Sequence, residues 1–464
     1  MAAVTEQLSD SDRGKAIRAE VPRSSHADWA RASDSHGPVA LLEEQAKTRV
    51  PDLVPIRYGR MLVSPFTFFR GAAYIMAADL ADAPRTGLEV QLCGDAHLSN
   101  FGAFAAPDRR LVFSLNDFDE TLPGPFEWDV KRLVASFAVA GRDREFSAKQ
   151  RRPINLAVVR AYREAMRDFA QMRTLDVWYA RQELDEIASR WEAQASAKQL
   201  KRFERNVAKA RAKDSLRAFD KLTEIVDGEP RIVSDPPIVV PIEELVAPGE
   251  TDQIRGVMED VIQSYGRTLT SDRCRLLDRF RYVHAAQKVV GVGSVGTRAW
   301  IMLLAGRDSQ DPLFLQFKEA EASVLEPFLG KSKFANHGQR VVEGQRLTQA
   351  ASDVLLGWIR QPGIDGKERD FYIRQLWDAK GSAVIESMNP TALESYAEIC
   401  GWALARAHAR SGDPAALASY LGSGDSFDRS LASFAETYAD QNERDYAALR
   451  EAVDSGGVEA KIGL

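Results

Sequence analysis

Apolar residues recur along this chain with two periods, and the shorter one is confined to a few places. Leu88–Leu92 alternates apolar with polar residues as a half-buried strand does, and Leu111–Leu115, after the turn Ala106–Arg110, reads as a second strand. Further strand-like runs lie at I-V-V-P-I within 227–249, at Thr297–Leu304, at Leu313–Lys318 and at Asp370–Trp377. Helical spacing accounts for most of the rest: Val39–Leu53, Phe66–Leu80, Val130–Ala140, charged helices across 147–226, Asp252–Tyr265, Arg273–His284, Gln339–Ala351, Glu394–His408 and Phe427–Val453. The clearest stripe is in Glu394–His408, where Tyr396, Ile399, Cys400, Ala403, Leu404 and Ala407 share one face.

These runs divide the chain. Residues 1–38 have no apolar periodicity and are expected to form a disordered arm. Asp227–Gly249 interrupts the helices with five prolines, so 228–250 is expected to link two lobes. The predicted fold class is therefore α+β. A helical lobe would span 39–227, a β-rich lobe 251–380, and helices over 381–464 would return to the first lobe.

Composition changes this picture little. With 464 residues, 45% apolar, the chain is long enough for two lobes with substantial cores. A net charge of −6 and a pI near 5.7 give no global attraction to nucleic acid or to an anionic membrane. The basic run Gln199–Lys213 is read as a solvated helix face. No apolar run approaches the ~18 residues of a membrane span, and the first residues lack the pattern of a secretion signal, so a cytoplasmic location is expected. Cys93, Cys274 and Cys400 are too dispersed for a disulfide framework or a zinc cluster.

Chemistry is concentrated after the first two strands. Gly94, Asp95, His97, Ser99 and Asn100 follow one, and Asn116, Asp117 and Asp119 follow the other. Asx turns and local capping would account for any one of these residues alone. Three carboxylates and two amides at neighbouring strand ends instead call for a counter-ion or a metal. Oxygen donors of this kind suit Mg²⁺, which takes one or two carboxylates and leaves other positions to water and substrate phosphates.

A second stretch points the same way. Gly291, Gly293 and Gly296 form G-x-G-x-x-G, with Ser294 inside it, and the short apolar run after it suits a hairpin better than the helix that a dinucleotide-binding unit needs. Glycines there would let backbone amides approach phosphates, and Lys318 at the end of the partner strand would lie beneath the turn. Arg57, Arg60 and Arg70 are further candidates for phosphate contact.

The order D-x-x-x-x-N followed by D-F-D resembles the catalytic loop and metal-binding motif of protein-kinase-like phosphotransferases. The likeness is greatest to the aminoglycoside and choline kinase branch, whose H-G-D-x-H-x-x-N pattern is met here with Cys93 at the leading His. The resemblance implies that Asp95 is the base for an acceptor hydroxyl, that Asn100 and Asp117 bind Mg²⁺, and that Gly291, Gly293, Ser294, Gly296 and Lys318 bind ATP. It also implies a helical glutamate for Lys318, Glu343 with Glu326 as second choice, and a bracing role for Asp129 in G-P-F-E-W-D. Arg298 stands where such kinases have a small apolar residue. The parts occur in rotated order, so the resemblance implies a bilobal, circularly permuted kinase-like fold. From about residue 40 onward the chain also resembles a bacterial family known as domain of unknown function 2252.

The expected activity is ATP-dependent phosphoryl transfer to a hydroxyl-bearing acceptor. G-D-A-H is similar as well to metal-binding segments of metallophosphoesterases, which makes a metal-dependent phosphoesterase the alternative, with a non-catalytic nucleotide-binding regulator third.

Overall fold

Strands β1 (Glu89–Leu92), β2 (Phe101–Ala105), β3 (Leu111–Leu115) and β4 (Leu122–Pro125) form two antiparallel pairs, β1 with β4 and β2 with β3. The β1–β2 and β3–β4 connections therefore run side by side, and the Asn116 amide donates to the Asn100 carbonyl at 3.0 Å. The short strands β5 (Gln182–Glu183) and β14 (Gly381–Ser382) extend the β2–β3 pair on its two sides. This computed structural model describes the chain apart from residues 1–9, 33–35, 193–200, 202–204, 206, 210, 212–214, 247–250, 290, 294, 309, 364, 377–378 and 464.

Behind the two connections stands the helix Phe126–Asp143, whose side chains are buried from Phe126 to Gly141. It packs with Ala148–Phe169, Pro390–Ser411 and the long helix Ser426–Asp454 around the largest apolar core.

The other layer is an antiparallel sheet of six strands in the order β12-β13-β11-β10-β9-β8. Its members are β8 (Val239–Pro241), β9 (Arg281–Lys288), β10 (Ala299–Ala305), β11 (Pro312–Ala320), β12 (Gly357–Pro362) and β13 (Glu368–Gln375). Side chains alternate across a strand. Leu313, Leu315 and Phe317 of β11 thus join Phe371 and Ile373 of β13 in a core with Tyr265 of the helix Thr251–Gly266. Gln316 and Lys318 of β11, with Tyr372 and Arg374 of β13, fall on the opposite face, where Lys318 pairs in register with Tyr372 and Gln316 with Arg374.

Three sequence expectations are corrected here. Residues 10–32 are not a disordered arm. A helix over Asp10–Glu20 packs on Pro414–Leu421, His26 is buried against the Tyr420 hydroxyl (2.8 Å), and Arg31 bridges Asp79 and Asp445 (both 2.6 Å). A few polar anchors hold this segment, which apolar periodicity does not reveal. The stretch 228–250 is more than a link: β7 (Glu229–Ile232) pairs with β6 (Thr223–Val226), and β8 forms an edge of the six-stranded sheet. The helix expected over Arg273–His284 stops at Leu277, and from Arg281 the chain is β9, held by its ladder to β10.

No helix among the described residues is long and apolar enough to cross a membrane. All three cysteines are free. Most of the basic run Gln199–Lys213 lies outside the described residues.

Candidate functional site

Asp95 follows directly on Gly94, which has φ +83° and leaves no room for a side chain, since a Cβ would lie 2.3 Å from the Glu120 carbonyl oxygen. The Cys93 and Gly94 amides donate to Asp129 (2.8 and 3.1 Å), and His408, fully buried, stands 3.3 Å from the same carboxylate and 2.8 Å from the Tyr162 hydroxyl. Asp129 thus braces the start of the loop from the helix behind it. Arg132, one turn further along that helix, donates to Asp95 Oδ1 from Nε and a terminal nitrogen (2.9 and 2.7 Å). Asn100 Nδ2 donates to the Asp95 carbonyl at 2.9 Å and lies 3.4 Å from Oδ2. Burial pushes the Asp95 carboxyl above its usual range, against the pull of Arg132 and Arg70.

The second connection brings Asp117, Asp119 and Glu120. Asp119 accepts from Lys318 Nζ and from the Tyr372 hydroxyl, both at 2.6 Å. Burial acts to raise its pKa, but Lys318 overrides it and, with Tyr372, holds the carboxyl down at about 2. Lys318 moves the other way: burial opposes its charge, and Asp119 restores it and raises the ammonium above its usual range. Asp117 has no such partner. Its Oδ1 is buried without a hydrogen bond, and burial together with the Asp119 charge raises its pKa. Glu120 accepts from the Val324 amide at 2.7 Å and is pushed up by burial to about 7.

Lys318 lies on β11, the strand expected after the glycine turn, and its side chain points away from the Leu313, Leu315 and Phe317 face. Its partner is not the expected one. Glu343 on the helix His337–Thr348 forms an ion pair with Arg346 (3.2 Å), and Glu326 lies 4.0 Å from His337. The helical glutamate expected for Lys318 is therefore replaced by Asp119, which reaches it across the cleft from the other layer. Arg340, on the same helix as Glu343, turns instead to the acidic loop and donates to the carbonyls of Asp119, Thr121 and Glu321, each at 2.8 Å.

The glycine-bearing turn joins β9 to β10, and the segment before β1 clasps it. Arg49 donates to the Val295 carbonyl, the Val50 amide to the Gly296 carbonyl (2.8 Å), and Arg60 to the Gly291 carbonyl (2.6 Å). Arg57 is fully buried and serves packing, with donations to Gln45 and to the Gly71 carbonyl. Ser294, expected to bind nucleotide, lies outside the described residues.

Asp95, Asn100, Asp117, Asp119 and Glu120 line one wall of a cavity of about 580 Å³; Gly291, Gly293 and Thr297 line another, and Arg70 and Tyr74 a third. Lys318 lies behind Asp119, almost wholly buried. Among the described residues no group of three or more His, Cys, Asp and Glu side chains is arranged to hold a metal ion. The donor set fits Mg²⁺ in its sparser mode: Asp117, which keeps one oxygen without a partner, and Asn100 both line the cavity, which leaves further positions to phosphate oxygens.

Several residues of this wall escaped the sequence reading, among them Arg132, Tyr372, Arg340 and Glu120. For Arg132 a signal existed, since K-R within the apolar run Val130–Ala140 puts two charges on a helix meant for burial, and both are buried. The others are placed by contacts between remote segments, which spacing does not show.

The fold and this site define a mixed α+β protein in which a clasped glycine turn faces a set of carboxylates. Residues 49–452 match the family described as "Uncharacterized protein conserved in bacteria (DUF2252)", and the chain belongs to that family. No curated protein and no solved structure matches the chain.

Proposed function

We propose that the protein is a kinase-like phosphotransferase that moves the terminal phosphoryl group of ATP to a hydroxyl-bearing acceptor. The observation that carries this reading is the shared cavity, in which a glycine-bearing turn and the Asp95, Asn100 and Asp117 side chains, remote in sequence, line the same space. The order of parts in the chain supports a kinase-like arrangement in rotated form, with the hairpin, the lysine strand and the following helix placed after the acidic loops.

Asp95 accepts the proton of the acceptor hydroxyl. Arg132 fixes one of its oxygens and leaves the other for that work, and burial raises its basicity. The acceptor oxygen forms a bond to the terminal phosphorus, the bond from that phosphorus to the bridging oxygen breaks, and ADP leaves. Asn100 and Asp117 are the residues that would hold Mg²⁺, which when bound neutralises charge on the phosphates. Lys318 keeps Asp119 ionised and pinned, so the acidic loop stays fixed against the sheet. The glycines let the turn's backbone come close to phosphate oxygens.

The test is ATP consumption by the full chain with Mg²⁺ over a panel of hydroxyl-bearing acceptors, with ADP rather than AMP as product. Asp95→Asn is expected to lower turnover roughly 10²- to 10⁴-fold while ATP still binds. Turnover at the parent rate in that variant removes Asp95 from its role, and phosphoester hydrolysis without ATP favours the phosphoesterase.

A further inference from the structure

Arg70 has no part in the mechanism above, yet its side chain lines the same cavity. It lies on the short helix Pro65–Gly71, which begins at a capping box between Ser64 and Thr67. Neighbouring buried arginines donate to protein acceptors: Arg132 to Asp95 and the Phe69 carbonyl, Arg340 to three carbonyls, Arg57 to Gln45 and Gly71. Arg49 and Arg340 also bury an Nε without a partner, but each donates to a backbone carbonyl from a terminal nitrogen. The Arg70 side chain makes no hydrogen bond and no ion pair among the described residues, and its Nε is buried without an acceptor.

Its surroundings say what is missing. The Arg70 carbonyl lies against the glycine turn, 3.3 Å from where a Cβ on Gly293 would be. The charges of Asp95, Glu386 and Asp117 act on the guanidinium without bonding to it. Asp95 Oδ1 is taken by Arg132, and Asp117 Oδ1 has no hydrogen-bond partner. A cation with idle donors and a carboxylate with an idle oxygen thus border one space, beside the turn. A guanidinium fork matches the oxygens of a phosphate, and the buried Nε is costly to leave without an acceptor.

We propose that Arg70 is a phosphate-binding group, which donates to the terminal phosphoryl oxygens of a nucleoside triphosphate held between the glycine turn and Asp117. The identity of that ligand rests on the phosphotransferase reading; a site for a polyphosphate anion does not. In the transfer step Arg70 opposes the negative charge on the phosphoryl oxygens, and no proton or bond changes hands at the guanidinium.

The test is calorimetric titration of the full chain with inorganic tripolyphosphate, and separately with ATP and Mg²⁺, in the parent, Arg70→Gln and Arg70→Lys. Arg70→Gln is expected to weaken tripolyphosphate binding roughly 10- to 100-fold, with the ligand-free melting temperature unchanged. Arg70→Lys is expected to fall between the two, because an ammonium lacks the fork. If Arg70→Gln melts early, Arg70→Lys carries the test, and parent-like affinity in it overturns the proposal. Equal affinity of parent and Arg70→Gln, or no binding to the parent, overturns it too. Arg70-dependent binding without ATP turnover would sink the phosphotransferase reading and leave the anion site standing. Parent values of kcat and KM for ATP in Arg70→Gln would do the reverse.

Discussion

Lys318 and Asp119 form an ion pair between the two layers. Each sits where its charge alone would be unfavourable, and each offsets the other's burial at 2.6 Å. Because the Asp119 carboxyl is held at about 2, below its ordinary 3.8, its contribution to stability is complete above about pH 3.8 and is lost as pH falls through about 2. Asp119→Asn leaves Lys318 buried without a counter-charge and should cost roughly 3–5 kcal/mol near pH 7. Urea unfolding of parent and variant at several pH values checks this, and a gap that does not narrow between pH 4 and 2 contradicts it. Lys318 is legible as the lysine at the end of the strand that follows the glycines, but the kinase resemblance pairs it with Glu343. Nothing in spacing along one element discloses a partner 199 positions away on another. Asp95, Asn100 and Asp117 were legible because they cluster within two loops at the ends of neighbouring strands.

At the scale of elements, the site depends on two connections that touch. Gly94 sits at the contact, with a backbone conformation that L side chains rarely adopt and the Glu120 carbonyl where a Cβ would go. Gly94→Ala is expected to strain the loop by roughly 1–3 kcal/mol and to displace Asp95 from Arg132. Steady-state kinetics should then show a lower kcat, and a variant with parent kcat would mean that Asp95 does not need this loop geometry. The strands themselves were readable because their alternation survives burial: β11 sends Leu313, Leu315 and Phe317 to one side and Gln316 and Lys318 to the other. β9 is not legible in R-Y-V-H-A-A-Q-K, which has no clear alternation of its own, and its ladders to β10 and β8 make it a strand.

For the whole molecule, the segment before β1 matters more than its composition suggests. The stretch between residues 38 and 80 supplies Arg49, Arg60 and Arg70, which hold the glycine turn or line the cavity, and residues 10–32 fasten to the carboxy-terminal helices through His26, Trp29 and Arg31. Chain ends far apart in sequence therefore support one cavity. Residues 10–32 are held by a few polar anchors and by Ile17 and Trp29 against the core, too few apolar residues to leave a periodic trace. In the proposed phosphotransferase this cavity binds Mg²⁺-ATP through Asp117, and calorimetric titration of the full chain with ATP, with and without Mg²⁺, measures that binding. One ATP per chain should bind with Mg²⁺ and roughly tenfold or more weakly without it, or when Asp117→Ala removes the carboxylate. Absence of binding to the parent, or binding indifferent to both the metal and Asp117, would contradict that proposal.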